Sequence, residues 1–66
     1  MSVLKVIEVL SGSNKSWEDA TQQAVIKAAK SVKNIRSVYV QEQSATVKGD
    51  KVAEFRVNVK ITFEIE

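Results

Sequence analysis

The sequence predicts an α+β domain in which three strands wrap around one helix, in the chain order β-α-β-β. Two patterns carry this prediction. Apolar residues alternate strictly with polar ones over residues 55–65, which is typical of a strand with one buried face. Apolar residues, half of them alanine, recur at three- and four-residue spacing over residues 17–32, which indicates an amphipathic helix. The helix and the strand each offer an apolar face that the other can cover.

The chain begins with a predicted strand over residues 3–10, rich in Val, Ile and Leu. We expect both faces of this strand to be at least partly covered, although a single copy would cover only one. Residues 11–15 are predicted to be a loop. Ser16 is a good N-cap, and Asp19 stands where a capping box has its acid, so the helix should begin at Trp17.

We place the helix at residues 17–33. Lys30 and Lys33 suit the negative end of its dipole, and Asn34 can adopt a left-handed conformation that ends it. Trp17 is interpreted as a structural anchor, since it has the spacing of the sheet-facing side. Apart from Trp17, that side is lined by small residues, namely Ala20, Ala24, Val25, Ala28 and Val32.

Residues 35–47 predict a second strand whose alternation is imperfect. Regular alternation would place one set of residues on a single side, namely Ser37, Tyr39, Gln41, Gln43, Ala45 and Val47. A Gly-Asp pair within residues 48–51 predicts a tight hairpin to the last strand. The helix permits the first two strands to run parallel, and the tight hairpin makes the last two antiparallel. The simplest sheet then has the third strand in the middle, in the order 1-3-2. The polar face of the last strand could line a cavity, a subunit contact or bulk water.

Length and composition restrict the function. The 66 residues include no Cys and no His, which excludes Cys/His zinc sites and the Ser-His-Asp arrangement. No nucleophile–base pair or glycine-rich loop is present, so we expect no enzyme. A chain this short has a thin core and no disulfide to reinforce it. We therefore expect residues 1–66 to form a single domain that assembles with copies of itself.

The charges point to no macromolecular partner other than the chain itself. The formal net charge of +2 is scattered along the sequence, without the basic clusters or aromatic stripes of a nucleic-acid-binding protein. No stretch is long and apolar enough to span a membrane, and residues 1–5 lack the pattern of a signal peptide. We expect a cytoplasmic protein.

Several segments together resemble the dodecin family across essentially the whole chain. They are KVIEVLSGSNKSWEDA at residues 5–20, an alanine-rich helix, V-x-N-I-x at 32–36, a G-D-K turn at 49–51 and FRVNVKITFEIE at 55–66. The resemblance implies a β-α-β-β subunit whose strands curl around one helix. It also implies a homododecamer, a hollow shell of cubic symmetry.

The resemblance further implies a flavoprotein that binds and stores riboflavin, FMN or FAD without turnover. Dodecins stack the flavin ring on a Trp and hydrogen-bond it through a Gln. Ser37 occupies the position of the Trp and Arg56 that of the Gln, so neither contact is retained in kind. Tyr39, two residues beyond Ser37, is either a cross-strand packing residue or a partial substitute stacking surface.

Arg56 has two interpretations. It either pairs on the surface with Glu42 or Glu54, or meets Arg36 around a symmetry axis to hold a phosphate or dinucleotide. The second arrangement would suit FMN, FAD or coenzyme A better than riboflavin. The predicted cofactor-binding residues are Ser37, Arg56, Arg36 and Tyr39.

The alternative is a dodecin-like shell that binds flavin weakly or not at all. Such a shell would bind ions or coenzyme A, or serve a structural role. Carboxylates of Glu8, Glu64 and Glu66 meeting at symmetry axes would supply the oxygen ligands that calcium and magnesium prefer. The sequence has no EF-hand-like spacing to support this alternative.

Overall fold

The computed structural model describes residues 2–65. Its elements are β1 (Val3–Ser13), α1 (Trp17–Ala28), β2 (Ile35–Lys48) and β3 (Lys51–Ile65). The strands form one sheet in the order β1-β3-β2, and β3 pairs antiparallel with both neighbours. The predicted element order and sheet order are therefore confirmed. Glu66, the predicted end of the last strand, lies outside the described residues.

The core lies where α1 crosses the middle of β3. Phe55 and Phe63, towards the two ends of the alternating stretch, are only half-buried. Ala20 and Ala24 are buried in this core, which lets the helix approach the sheet closely. The fully buried apolar residues of the described part are Ala20, Ala24, Val57, Val59 and Ile61.

β1 continues three residues further than predicted. Ser11 to Ser13 pair with β3 down to Phe55, so the loop prediction for these residues is wrong. Pairing with β3 satisfies their backbone groups and outweighs their preference for turns. Gly12 fits because it has no side chain: a Cβ there would lie 2.7 Å from Cδ of Glu54, which covers this position.

The N-cap and the first residue of α1 follow the prediction, whereas the Asp19 carboxylate bonds to Ser13 and not back to the Ser16 amide as in a capping box. The Asp19 backbone N–H donates to Ser16 Oγ at 2.9 Å, so Ser16 caps the helix and satisfies one of its free amides. The Asp19 carboxylate accepts a 2.6 Å hydrogen bond from Ser13 Oγ. This second contact joins the helix start to the end of β1.

α1 ends five residues before the predicted end at Lys33. A hydrogen-bonded turn follows Ala28, whose carbonyl accepts from Val32 N–H at 2.9 Å. Asn34 then adopts a φ of 64°, as its predicted role requires, and its carbonyl accepts from Glu64 N–H at 3.0 Å. The chain must turn here to enter β2 beside β3, and this requirement ends the regular helix early.

β-bulges explain the imperfect alternation of β2. Tyr39 lies opposite Lys60, but Glu42 lies opposite Asn58, so Gln41 is an extra residue between them. An extra residue reverses the side to which all later side chains point. The prediction of one continuous side from residues 37 to 47 is therefore wrong beyond Gln41.

The hairpin forms as predicted. Lys48 lies opposite Lys51, and Gly49 has a φ of 69°. A glycine with positive φ at the first central position is the pattern of a type II′ turn, whose twist suits a hairpin.

The chain is elongated, with extents of 50 × 19 × 14 Å and a radius of gyration of 13.4 Å. A compact chain of this length would have a radius of gyration of about 11 Å. Many large apolar side chains are exposed, Leu10 and Val47 most of all, at 76% and 66%. No helix in residues 2–65 has the length and apolar character needed to cross a membrane.

Candidate functional site

The candidate site lies on the outer face, defined here as the face of the sheet that points away from α1. Directly opposed residues of antiparallel strands share a face, so the register fixes its members. β3 contributes a polar row: Glu54, Arg56, Asn58, Lys60, Thr62 and Glu64. β1 contributes a more apolar row: Leu4, Val6, Glu8 and Leu10.

Two of the predicted site residues lie together on this face. Ser37 is opposite Thr62, and Tyr39 is opposite Lys60. The Tyr39 side chain is 65% exposed, so one side of its ring is open to a partner. The Tyr39 ring can stack on a planar ligand. The Lys60 ammonium group beside it can attract a negative charge.

Arg36 is held at one end of the outer face. It is an extra residue in β2, between the pairs formed by Ile35 and Ser37. Its Nε and Nη2 atoms donate to Oε1 of Glu64 at 3.0 and 2.9 Å. The Arg36 charge is therefore already partly compensated within the chain.

Arg56 lies towards the opposite end of the sheet. Its Nε donates to Oε1 of Glu54 at 2.8 Å. Of the two surface partners predicted for Arg56, Glu42 and Glu54, the structure therefore shows Glu54. Arg56 and Thr62, the neighbour of Ser37, are six residues apart on β3, or about 20 Å at strand rise. One copy therefore does not bring Arg56 together with Ser37 and Tyr39.

A cleft of 740 Å³ opens on the outer face around Arg56. Pockets of this size accommodate small molecules and cofactors. Asn58 lies in its lining, with a buried Oδ1 that has no hydrogen-bond partner among the described residues. Sequence reasoning missed Asn58, although asparagine in the middle of a regular strand is unusual. Other lining residues are Leu10, Gly12, Glu42, Ser44 and Glu54.

Trp17 lies on the other side of the sheet. Its ring packs on Phe55, and Nε1 donates to the Ser44 carbonyl at 2.8 Å. These contacts agree with its interpretation as an anchor.

The carboxylates considered for cation binding are separated within one copy. Glu8 is opposite Lys60, Glu64 is paired with Arg36, and Glu66 lies outside the described residues. Residues 2–65 contain no group of three acidic side chains placed to hold a metal ion.

Comparison with known proteins gives consistent matches. A family model described as Dodecin matches residues 3–66. Calcium dodecin from Mycobacterium tuberculosis is 37% identical over 65 residues, covering 98% of this chain and 92% of the relative.

Solved structures agree with these sequence matches. A mutant of T. thermophilus dodecin superposes with a TM-score of 0.94 at 27% identity, covering 100% of this chain and 98% of that one. The crystal structure of the calcium-chelating antigen calcium dodecin from Mycobacterium tuberculosis gives a TM-score of 0.85 at 36% identity, covering 98% and 93%.

Proposed function

Because this chain belongs to the dodecin family, we propose that it is a non-catalytic binding protein that stores a flavin nucleotide. In this proposal residues 1–66 form a single dodecin-like domain, twelve copies assemble into a shell, and the protein acts in the cytoplasm. The ligand is FMN or FAD, held on the outer face where copies meet.

The exposed apolar surface supports assembly. Leu4 and Val6 on the outer face of β1 are each 53% exposed, and Leu10 is 76% exposed. Small chains with thin cores commonly gain stability by oligomerisation. Neighbouring copies would cover this apolar row and remove it from water.

The placement of Tyr39 is the observation that carries the ligand proposal. Its exposed ring offers a stacking surface next to Ser37, where the resemblance places the flavin. Lys60 beside it adds a positive charge for a phosphate. Tyr39 is opposite Lys60, so Arg56 lies four residues further along β3, about 13 Å away on the same copy. Tyr39 and Arg56 can therefore touch one ligand only if it is extended or if a second copy supplies one of the two residues.

Three cationic side chains offer donors to the phosphate of a nucleotide, and Arg36 and Arg56 would give up their ion pairs with Glu64 and Glu54 to bind it. Arg36, Arg56 and Lys60 all lie on or at the edge of the outer face, and arginine recognises phosphate through paired donors. Riboflavin has no phosphate to use them. Coenzyme A shares the phosphate chemistry and is a useful competitor in the assay.

Titration of FMN into the assembled protein tests the proposal. We expect FMN fluorescence to be quenched more strongly than riboflavin fluorescence at equal concentration. Tyr39→Ala should weaken the quenching, whereas Tyr39→Phe keeps the ring and should preserve it. Light scattering establishes that each variant is assembled. If the assembled wild-type protein leaves micromolar FMN and FAD fully fluorescent, the flavin proposal is wrong.

A second candidate ligand is calcium. It is favoured by the 37% identity to a relative named calcium dodecin. Since no acidic group of three lies together within residues 2–65, the ion would need carboxylates from more than one copy, such as Glu8 and Glu42 on outer faces.

Calorimetric titration of EDTA-treated assembled protein with Ca²⁺ tests this second candidate. Heat of binding that disappears in Glu8→Gln or Glu42→Gln, with FMN quenching unchanged, would support it. No heat with wild-type protein would exclude it.

A further inference from the structure

We propose that Asn58 orients the ligand ring on the outer face, by binding the edge of the ring that carries an N–H group between two carbonyl groups. This inference rests on the proposed function, because it names the residue that positions a flavin stacked on Tyr39.

Asn58 has a buried acceptor that lacks a partner. Its Oδ1 atom is shielded from water and accepts no hydrogen bond from the described residues. Leaving a buried acceptor unpaired is costly, and a β-branched residue at this position would suit a strand better. The asparagine is therefore explained if a group from outside residues 2–65 donates to it.

The cleft on the outer face gives a ligand access to this amide. Asn58 lies directly opposite Leu10 on β1 and Glu42 on β2. Both neighbours are exposed, so a ligand can move their side chains aside. The amide itself can turn about its Cβ–Cγ bond, because that torsion angle has only a broad preference.

The Asn58 amide lies within reach of a ring stacked on Tyr39. Tyr39 is opposite Lys60, and Asn58 is two residues from Lys60 on the same face of β3. Such diagonal neighbours are about 7 to 8 Å apart. The three fused rings of a flavin are long enough to cover this spacing, so one end of the ring reaches Asn58 while its middle lies on Tyr39.

The hydrogen-bonding groups of the amide and the ring are complementary. The end ring of a flavin carries an N–H group, N3–H, with a carbonyl on each side. An asparagine amide offers an acceptor and two donors. Oδ1 can therefore accept from N3–H while Nδ2 donates to one of the carbonyls.

The charges of the cleft agree with this placement. Its charged lining residues are Glu42, Glu54 and Arg56, and Glu54 is paired with Arg56. Because carboxylates outnumber cations here, an uncharged N–H donor suits the part of the cleft beside Asn58 better than a phosphate does. The ribityl chain of a flavin leaves from the middle ring, which places its phosphate nearer to Lys60.

Titration with 3-methyl-FMN tests this contact. This analogue keeps the ring and the phosphate but has no N3–H donor. We expect assembled wild-type protein to bind it about tenfold more weakly than FMN, through the loss of about one hydrogen bond. Asn58→Ala should weaken FMN binding by the same factor without weakening 3-methyl-FMN binding further, because both changes remove the same contact. Fluorescence quenching measures all four dissociation constants.

The matched control is Asn14→Ala, which removes an exposed amide in the loop before α1. This variant should keep the full preference for FMN over 3-methyl-FMN. Equal binding of the two ligands by wild-type protein overturns the inference and leaves the flavin proposal standing, and this comparison holds even if Asn58→Ala does not assemble.

Two further outcomes also decide against the inference. Equal losses for both ligands in an assembled Asn58→Ala variant would mean that Asn58 acts through packing or through a neighbouring copy, with the flavin proposal unaffected. If assembled wild-type protein does not quench FMN at all, the inference and the flavin proposal are both wrong.

Discussion

The rings of Trp17 and Phe55 meet edge to face, with centroids 4.9 Å apart and planes at 73°. The Trp17 Nε1 group also donates to the Ser44 carbonyl at 2.8 Å. One side chain at the start of α1 therefore contacts both β3 and β2. It closes the core at the end where β1 stops and the hairpin continues alone.

Replacing Trp17 should separate the packing contribution from the hydrogen bond. We expect Trp17→Ala to lower the free energy of unfolding by about 2 kcal/mol, below the value for a fully buried ring because Trp17 is 36% exposed. Trp17→Phe keeps the ring contact and should cost about 1 kcal/mol or less, through the lost hydrogen bond. Urea unfolding followed by circular dichroism, at one fixed subunit concentration, measures both changes. Equal costs for the two variants would mean that the ring contact contributes little.

The alanine face of α1 should not tolerate larger residues. Ala24 is 3% exposed and packs against β3, so Ala24→Leu would push the helix off the sheet at a cost of about 2 kcal/mol. The matched control is Ala29→Leu, which makes the same change at an exposed position just after the helix. Trp17 is the single tryptophan, and its fluorescence reports unfolding in both variants. A control that destabilises as much as Ala24→Leu would contradict the close approach of α1 to the sheet.

The two glycines should respond to alanine for different reasons. Gly49 has a φ of 69° with open space around it, so Gly49→Ala should cost about 1 kcal/mol of backbone strain. The atoms nearest to a Cβ added at Gly12 all belong to the Glu54 side chain, which can swing away and give up its exposed pair with Arg56, a loss of about 1 kcal/mol or less.

A double-mutant cycle with Glu54→Ala distinguishes the two causes. The cost of Gly12→Ala should disappear when Glu54→Ala is also present, and the cost of Gly49→Ala should not change. An unchanged cost at Gly12 would mean that the backbone, and not Glu54, resists the substitution.

The most regular patterns allowed the fold to be predicted. The alternation of β3, the Ser16 cap and the Gly-Asp turn each depend on local residues, and together they set the sheet order. The predictions that failed depended on partners elsewhere in the chain. Ser11 to Ser13 have turn-forming side chains, but pairing with β3 makes them a strand.

The candidate site was predictable only as far as local periodicity extends. Ser37 and Tyr39 are two residues apart within a regular part of β2, and they do share the outer face. The bulge at Gln41 leaves no clear signal in the sequence, so the sides of later residues were assigned wrongly. Arg36 and Arg56 lie at opposite ends of the sheet because of the strand register. A sequence pattern does not specify that register.

Ser37→Trp should increase flavin affinity, since it restores an aromatic ring on the outer face beside Tyr39. Stacking is worth about 0.5 to 1.5 kcal/mol beyond area burial, so paired rings should lower the Kd for FMN by about tenfold. Quenching of FMN fluorescence measures the Kd. Ser31→Trp, which adds the same side chain at an exposed position after α1, should leave the Kd unchanged. If Ser37→Trp assembles but binds FMN no better than Ser31→Trp, the ligand does not lie at this part of the outer face.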